Sequence, residues 1–179
     1  MKKLNLFFGA LVTIFFISCE GPQGPAGFDG VDGESGLIGQ VVDIEGSFTL
    51  DNDYSIFYEF PQTIEVFDTD VVLVYMLWET TEDSNGDLVD IWRLMPQTRI
   101  LDQGLLQYNF DYTFFDVSIF LESDFDLATL QAGDTDNQVF RIAILPADSA
   151  TGKLDTSNII SVMAHLGVTE DSIQKVTLD

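Results

Sequence analysis

Apolar and polar residues alternate with a period of two over much of the chain after residue 42. In residues 108–114 aromatic side chains alternate with polar ones, and in residues 117–121 aliphatic side chains recur at the same spacing. Such alternation is typical of strands that bury one face. Residues 71–78 instead form a continuous β-branched and aromatic run, which predicts a strand buried on both faces.

Further strands complete a predicted antiparallel β-sandwich of seven or eight short strands. Asn85-Gly86 lies between the apolar runs 71–78 and 88–95, and Asn-Gly in this position predicts a hairpin. The other predicted strands are residues 47–50, 54–60, 99–101 and 138–145. The alternative fold class is α+β, with the helix on one face of a sheet.

The C-terminal segment has a helical period. Its apolar residues recur three and four positions apart, at Ile159, Ile160, Met163 and Leu166. Gly167 follows as a residue that can end a helix, and Thr156 or Ser157 can cap its start. We therefore predict a short helix here and a second short element at residues 169–176.

The first 18 residues have the pattern of a secretory signal peptide. Lys2 and Lys3 precede an almost purely apolar run, residues 4–17, which a small residue and a cysteine close. The run is shorter than the roughly 20 residues that span a bilayer. We therefore predict that residues 1–18 are removed on export.

Glycine then occupies every third position of residues 21–39 in a Gly-X-Y repeat, at Gly21, Gly24, Gly27, Gly30, Gly33, Gly36 and Gly39. In a collagen triple helix only glycine fits at the crowded axis. Two interpretations of residues 19–41 stay open. One is a stalk wound from three chains, about 60 Å long at roughly 3.1 Å per residue. The other is a flexible, monomeric spacer.

The segment Phe16-Ile17-Ser18-Cys19 resembles a lipobox, and the whole arrangement resembles the small collagen-like lipoproteins of Gram-negative envelopes. The resemblance implies that Cys19 carries a diacylglyceryl group and that its new amine receives a further chain such as palmitate. Two or more acyl chains hold a protein stably on a membrane. Glu20 replaces the aspartate that retains such proteins in the inner membrane, which implies the outer membrane.

The chain is strongly acidic, with a net charge of −23, and removal of the signal peptide makes it more so. It leaves 5 of the 7 Lys and Arg against all 30 Asp and Glu, a net charge of −25. This charge excludes a nucleic-acid partner, because it repels phosphate. We predict that residues 42–179 form an acidic β-rich domain. Because Cys19 is the chain's one cysteine, this domain contains no disulfide and depends on its apolar core for stability.

Candidate catalytic residues are scarce. His165 is the one histidine and lies in the predicted helix, so we expect a structural role for it. No nucleophile elbow, phosphate-binding loop or dinucleotide fingerprint occurs in the domain. We predict that the protein is not an enzyme. The alternative is a hydrolase with two carboxylates of unequal environment in a cleft.

Acidic turns offer a candidate Ca²⁺ site at Asp83, Asn85 and Asp87, where oxygen ligands stand at alternate positions. Similar turns occur at residues 51–53, 68–70 and 134–137. Calcium takes about six to eight such oxygens, but Leu88 stands where an EF-hand loop requires glycine. A solvated hairpin turn is the simpler interpretation.

The expected function is an interaction domain displayed on a membrane, with a protein or glycan partner and with the N-terminal segments as anchor. Trp78, Trp92 and Tyr108 are contact candidates if they are exposed, and core residues if they are not. A Ca²⁺-stabilised adhesion or glycan-binding domain is the alternative.

Overall fold

The computed structural model describes residues 40–147 and 154–178. Their strands are β1 (Gln40–Gly46), β2 (Ser55–Glu59), β3 (Val71–Glu82), β4 (Leu88–Leu94), β5 (Gln97–Leu101), β6 (Gly104–Tyr112), β7 (Asp116–Ser123), β8 (Gln138–Leu145) and β9 (Gln174–Thr177). Two α-helices are α1 (Ala132–Thr135) and α2 (Ile159–Leu166), and short 3-10 helices are Leu50–Asn52, Leu127–Thr129 and Glu170–Ser172.

The strands form two sheets. One has five strands in the order β4-β3-β8-β1-β9, and the other has four in the order β2-β7-β6-β5. All neighbours are antiparallel except β1 and β9, which run parallel. The described residues therefore form the predicted antiparallel-rich β-sandwich.

The main core lies between the two sheets. Alternate residues of most strands point into it, as Val42 and Ile44 do from β1 and Ile142 does from β8. Phe48 joins the layers by edge-to-face contacts with Tyr108 and Phe140, with ring centroids 6.0 Å apart in both pairs. The Tyr108 hydroxyl donates to the Asp134 carbonyl oxygen at 2.8 Å, and burial raises the pKa of this phenol to about 12.

A second apolar layer covers part of the outer face of the five-stranded sheet. Ile159, Val162 and Met163 of α2 pack there against a sheet surface that includes Tyr75 and Leu145. Strand β8 is consequently buried on both faces. The helix does lie on one face of a sheet, as the α+β alternative required, but the other sheet covers the opposite face.

Most predicted strands are confirmed, including the buried run that opens β3. The Asn85-Gly86 hairpin between β3 and β4 is confirmed too. The Asp83 N–H donates to the Asp87 carbonyl oxygen at 2.8 Å. Gly86 has φ +87°, a conformation that glycine adopts without strain.

The predicted strand at residues 47–50 is wrong. The chain turns into the 3-10 helix Leu50–Asn52, which the side chains of Thr49 and Asn52 cap reciprocally. The strand lies earlier, as β1, where apolar and acidic residues alternate. It begins at Gln40, so its first two residues fall within the range assigned to the stalk.

Other boundaries also differ. Strand β6 ends at Tyr112, and Phe114 lies in the following turn. Asn158, rather than Thr156 or Ser157, caps α2, because its side-chain oxygen accepts from the N–H groups of Ile160 and Ser161. Gly167 ends the helix at φ +69° as predicted.

We predict that Gly104→Ala destabilises the domain by about 1–3 kcal/mol, because the backbone is strained for any side chain there. Gly104 has φ +147°, and an added Cβ would overlap the Asp124 carboxylate, which accepts from the Leu105 N–H at 2.8 Å. Urea unfolding followed by circular dichroism measures the change.

Gly133→Ala is the matched control. An added Cβ there meets no heavy atom within 4 Å, and the residue lies inside α1. Alanine should leave stability unchanged or raise it by about 1 kcal/mol. Equal unfolding midpoints for the two variants would contradict the strain at Gly104.

Candidate functional site

The outer face of the five-stranded sheet is only partly covered by α2, and the remaining part is a cleft. Its volume is about 210 Å³, and strands β4, β3, β8, β1 and β9 contribute to its walls. Four carboxylates, two cations and one tryptophan line it: Asp43, Glu45, Asp90, Glu170, Arg141, Lys175 and Trp92. The cleft therefore combines groups of both charges with an aromatic ring.

Arg141 forms the floor of this cleft. The strand register places it opposite Asp43 of β1 and Tyr75 of β3. Its Nε and Nη2 donate to the two oxygens of Asp43 at 2.7 and 2.9 Å. Its Nη1 and Nη2 donate to the two oxygens of Glu170 at 2.6 and 2.8 Å. One guanidinium group therefore binds two carboxylates bidentately.

This buried charge is well compensated. Only 2% of Arg141 is exposed, and its guanidinium carbon lies 4.3 Å from the centre of the Trp92 ring. Burial opposes the charged form, but the hydrogen bonds to Asp43 and Glu170 outweigh it and raise the pKa of Arg141 above its ordinary value. The arrangement holds the 3-10 helix Glu170–Ser172 against the sheet.

A second cleft, of about 240 Å³, lies beside Trp78. Pairing between β3 and β4 shifts between Leu77 and Glu79, so Trp78 occupies a β-bulge, an irregularity that re-aims a side chain. The guanidinium carbons of Arg93 and Arg99 lie 3.9 and 4.9 Å from the ring centre. Arg99 also pairs with Asp134 at 2.6 Å.

In both clefts an arginine guanidinium group lies over a tryptophan ring. The chain has two tryptophans and three arginines, and every arginine lies over a tryptophan ring. Cation–π contacts of this kind contribute roughly 0.5–2 kcal/mol each. In a chain with so few positive charges, all three arginines are therefore held at the two tryptophan rings.

The predicted contact candidates divide accordingly. Trp78 and Trp92 are half-buried and line the two clefts. Tyr108 is completely buried in the core, so it is not a surface contact. Its strand position, on the inward face of β6, gives the physical reason.

The candidate Ca²⁺ ligands form the hairpin turn itself. One Asp83 oxygen accepts from the N–H groups of Asn85 and Asp87 at 2.8 and 2.9 Å, and the other accepts from the Asn85 amide at 3.1 Å. The backbone hydrogen bond from Asp87, and then that from Asn85, lowers the pKa of Asp83. Within residues 40–147 and 154–178, no group of three or more His, Cys, Asp or Glu is arranged to hold a metal. Calcium binding at this turn stays a prediction.

The remaining sequence-based site residues lie elsewhere. His165 is exposed in the last turn of α2, where the helix dipole stabilises a positive charge. Cys19 and the seven repeat glycines lie outside the described residues. No helix in the described part of the chain is long and apolar enough to cross a bilayer.

Sequence reasoning missed the pairing of Arg141 with Asp43 and Glu170. A signal was present, since Arg141 interrupts the otherwise apolar run of β8. A charged residue in such a position needs a buried partner. Which residues pair could not be read from one sequence, because the partners are 98 and 29 positions away.

Comparisons of the chain with protein-family models, curated proteins and solved structures found no match.

We predict that Arg141→Met destabilises the domain by about 3–5 kcal/mol, because it leaves Asp43 buried without its partner. Lys175→Met is the control, since Lys175 lines the same cleft but is exposed. That change should stay within about 0.5 kcal/mol. Chemical denaturation measures both, and similar losses would contradict a specific role for Arg141.

Proposed function

We propose that this protein is a lipoprotein of a Gram-negative envelope, most simply of the outer membrane, that presents its β-sandwich as an interaction domain on a collagen-like stalk. The observation that carries the proposal is the order of three segments. Cys19 closes the apolar leader, glycine recurs at every third position to Gly39, and β1 begins at the next residue. Anchor, spacer and folded domain follow one another without an intervening linker.

The anchor supplies stable attachment. A single acyl chain binds a membrane only marginally, whereas a cysteine with a diacylglyceryl group and an acylated amine carries enough buried methylene groups to remain there. The domain's acidic surface repels anionic headgroups and favours solubility on the aqueous side. The Gly-X-Y segment accordingly acts as the spacer that separates the two.

The domain is proposed to act by contact rather than by catalysis. A general acid in a glycosidase-type site must hold a proton that it can transfer. In the cleft with Arg141 at its floor, Asp43 and Glu170 differ in exposure, but both oxygens of each carboxylate already accept hydrogen bonds from Arg141. This arrangement favours a structural role for the two carboxylates over a catalytic role in a hydrolase.

A glycan-binding role is the second candidate, because Trp78 and Trp92 are half-exposed in clefts. Sugars commonly stack on aromatic faces, but guanidinium groups already lie over both rings. Arg99 and Arg141 also bind carboxylates of the domain, so the geometry favours a carboxylate-bearing protein or polysaccharide that contacts Arg93. Arg93, which is exposed, is the most accessible of the three.

We predict that Cys19→Ser abolishes lipid attachment. The full chain should incorporate labelled palmitate, enter the detergent phase on phase partitioning and sediment with outer membranes, because its acyl chains are buried in lipid. The serine variant should do none of these. Ser18→Ala, which keeps a small residue before the cysteine, should behave like the original chain. Palmitate incorporation by the serine variant would contradict the proposal.

A further inference from the structure

One end of the sandwich carries the start of β1. Gln40 pairs with Ile144 near the end of β8. A further cleft, of about 250 Å³, lies at this end, and Gln40, Thr63 and Ile64 all line it. Thr63 and Ile64 belong to the loop 60–70 that leads into β3. The Phe60 N–H donates to the Phe115 carbonyl oxygen at 2.8 Å, so the β6–β7 turn lies at this end as well.

The β6–β7 turn, residues 113–116, is held firmly by hydrogen bonds. The Thr113 N–H donates to the Asp116 carbonyl oxygen at 2.9 Å, and the Thr113 hydroxyl donates to the Asp116 carboxylate at 2.9 Å. The Phe115 N–H donates to the Thr113 hydroxyl oxygen at 3.0 Å. The turn is thus a defined element that fixes the positions of its two central residues.

Those central residues are aromatic and exposed. Phe114 is 50% and Phe115 62% exposed, their ring centroids are 4.0 Å apart, and Tyr112 beside them is 43% exposed. Glycine, proline, asparagine and aspartate usually occupy the centre of turns, each for a backbone reason. Two phenylalanines there satisfy no local requirement. Departures of this kind are expected where a residue serves another purpose.

The Gly-X-Y repeat that precedes the described residues indicates what covers these exposed rings, namely further copies of this chain. The Gly-X-Y repeat ends at Gly39, which is bonded to Gln40, so the repeat enters the domain at the end that carries the turn. If three chains wind together, their β1 strands begin side by side at the end of one helix. The corresponding ends of three domains then face one another, and their exposed rings meet in a cyclic assembly.

We propose that the surface formed by Tyr112, Phe114 and Phe115, the aromatic end, contacts two further copies of this chain and holds a trimeric stalk together at its domain side. This inference rests on the proposed stalked lipoprotein and adds the contact that joins the copies. The repeat is short and has prolines at Pro22 and Pro25 alone, so a folded contact at its end would favour its winding. Attachment of all copies to one membrane raises their effective concentration.

Charge acts against this contact and gives it a signature. Asp111 and Asp116 flank the aromatic end, and each domain is strongly acidic. Repulsion between exposed charges is screened beyond about 8 Å at physiological ionic strength and beyond about 3 Å at 1 M salt. Association of the copies should consequently become stronger as salt is added.

The test places one thiol at the aromatic end of the full-length, lipidated chain in membranes. Acylation consumes the thiol of Cys19, so an introduced cysteine is the one that can be oxidised. Phe115→Cys is compared with Ile100→Cys, which alters an 86% exposed residue towards the other end of the same sheet. Mild oxidation followed by non-reducing electrophoresis detects pairs of copies, and Phe114→Cys repeats the test at the neighbouring ring.

The expected result is a disulfide-linked pair for Phe115→Cys, increasing with salt, and several-fold less of it for Ile100→Cys. Three results would overturn the proposal. Equal pairing at both positions indicates random collision. A position-115 thiol that stays unpaired and reacts with an aqueous maleimide indicates a free surface. One that stays unpaired and reacts only after detergent is added indicates contact with the bilayer.

Partitioning into detergent is measured on the same samples. A chain that partitions into detergent but does not pair through position 115 disproves the aromatic contact and leaves the lipid-anchored interaction domain standing. A chain that does not partition into detergent disproves the anchor itself. The two failures are therefore distinguishable.

Discussion

The pairing of β1 with β8 on one side and β9 on the other is the interaction on which the rest of the domain depends. All seven residues of β1 pair with residues of β8 in an antiparallel ladder, and a parallel ladder joins β9, the last strand, to β1. Val42 and Ile44 of the same strand enter the main core. Because the Gly-X-Y repeat is bonded to Gln40, a pull on the repeat is resisted inside the sheet rather than at an edge.

The other face of β1 explains the single buried arginine. Alternation sends Asp43 to the outer face, where Arg141 of β8 lies directly opposite and also binds Glu170. The ion pair therefore connects the first strand, the centre of the sheet and the C-terminal segment. Buried pairs add little net stability compared with apolar residues, but removing one partner is costly. Arg141 thus serves mainly to fix how the C-terminal segment packs.

Local signals predicted much of the fold. The hairpin of β3 and β4 depends on Asn85-Gly86, and α2 depends on helical spacing and Gly167, all within a few residues of one another. The strand β1 was missed because its alternation is short and follows directly on the glycine repeat. The Arg141 ion pairs and the bulge at Trp78 could not be predicted, because each depends on how strands pair residue by residue.

The domain surface has two kinds of aromatic site, one with arginines and one without. Trp78 and Trp92 hold the scarce arginines in two clefts, which are the candidate sites for a partner. Phe114 and Phe115 lie at the end where the repeat enters and have no charged partner to hold. We propose that one surface serves recognition and the other assembly, and that the Gly-X-Y repeat connects both to the membrane.

The most direct test of this account is the mass of the full lipidated chain in detergent, measured by light scattering with the detergent contribution subtracted. The account predicts the mass of three chains for the original protein and of one chain for Gly30→Asp, which places a side chain on the helix axis. Ala26→Asp adds the same side chain away from the axis and should retain the larger mass. A single-chain mass for the original protein, or an unchanged mass for Gly30→Asp, would contradict the wound stalk.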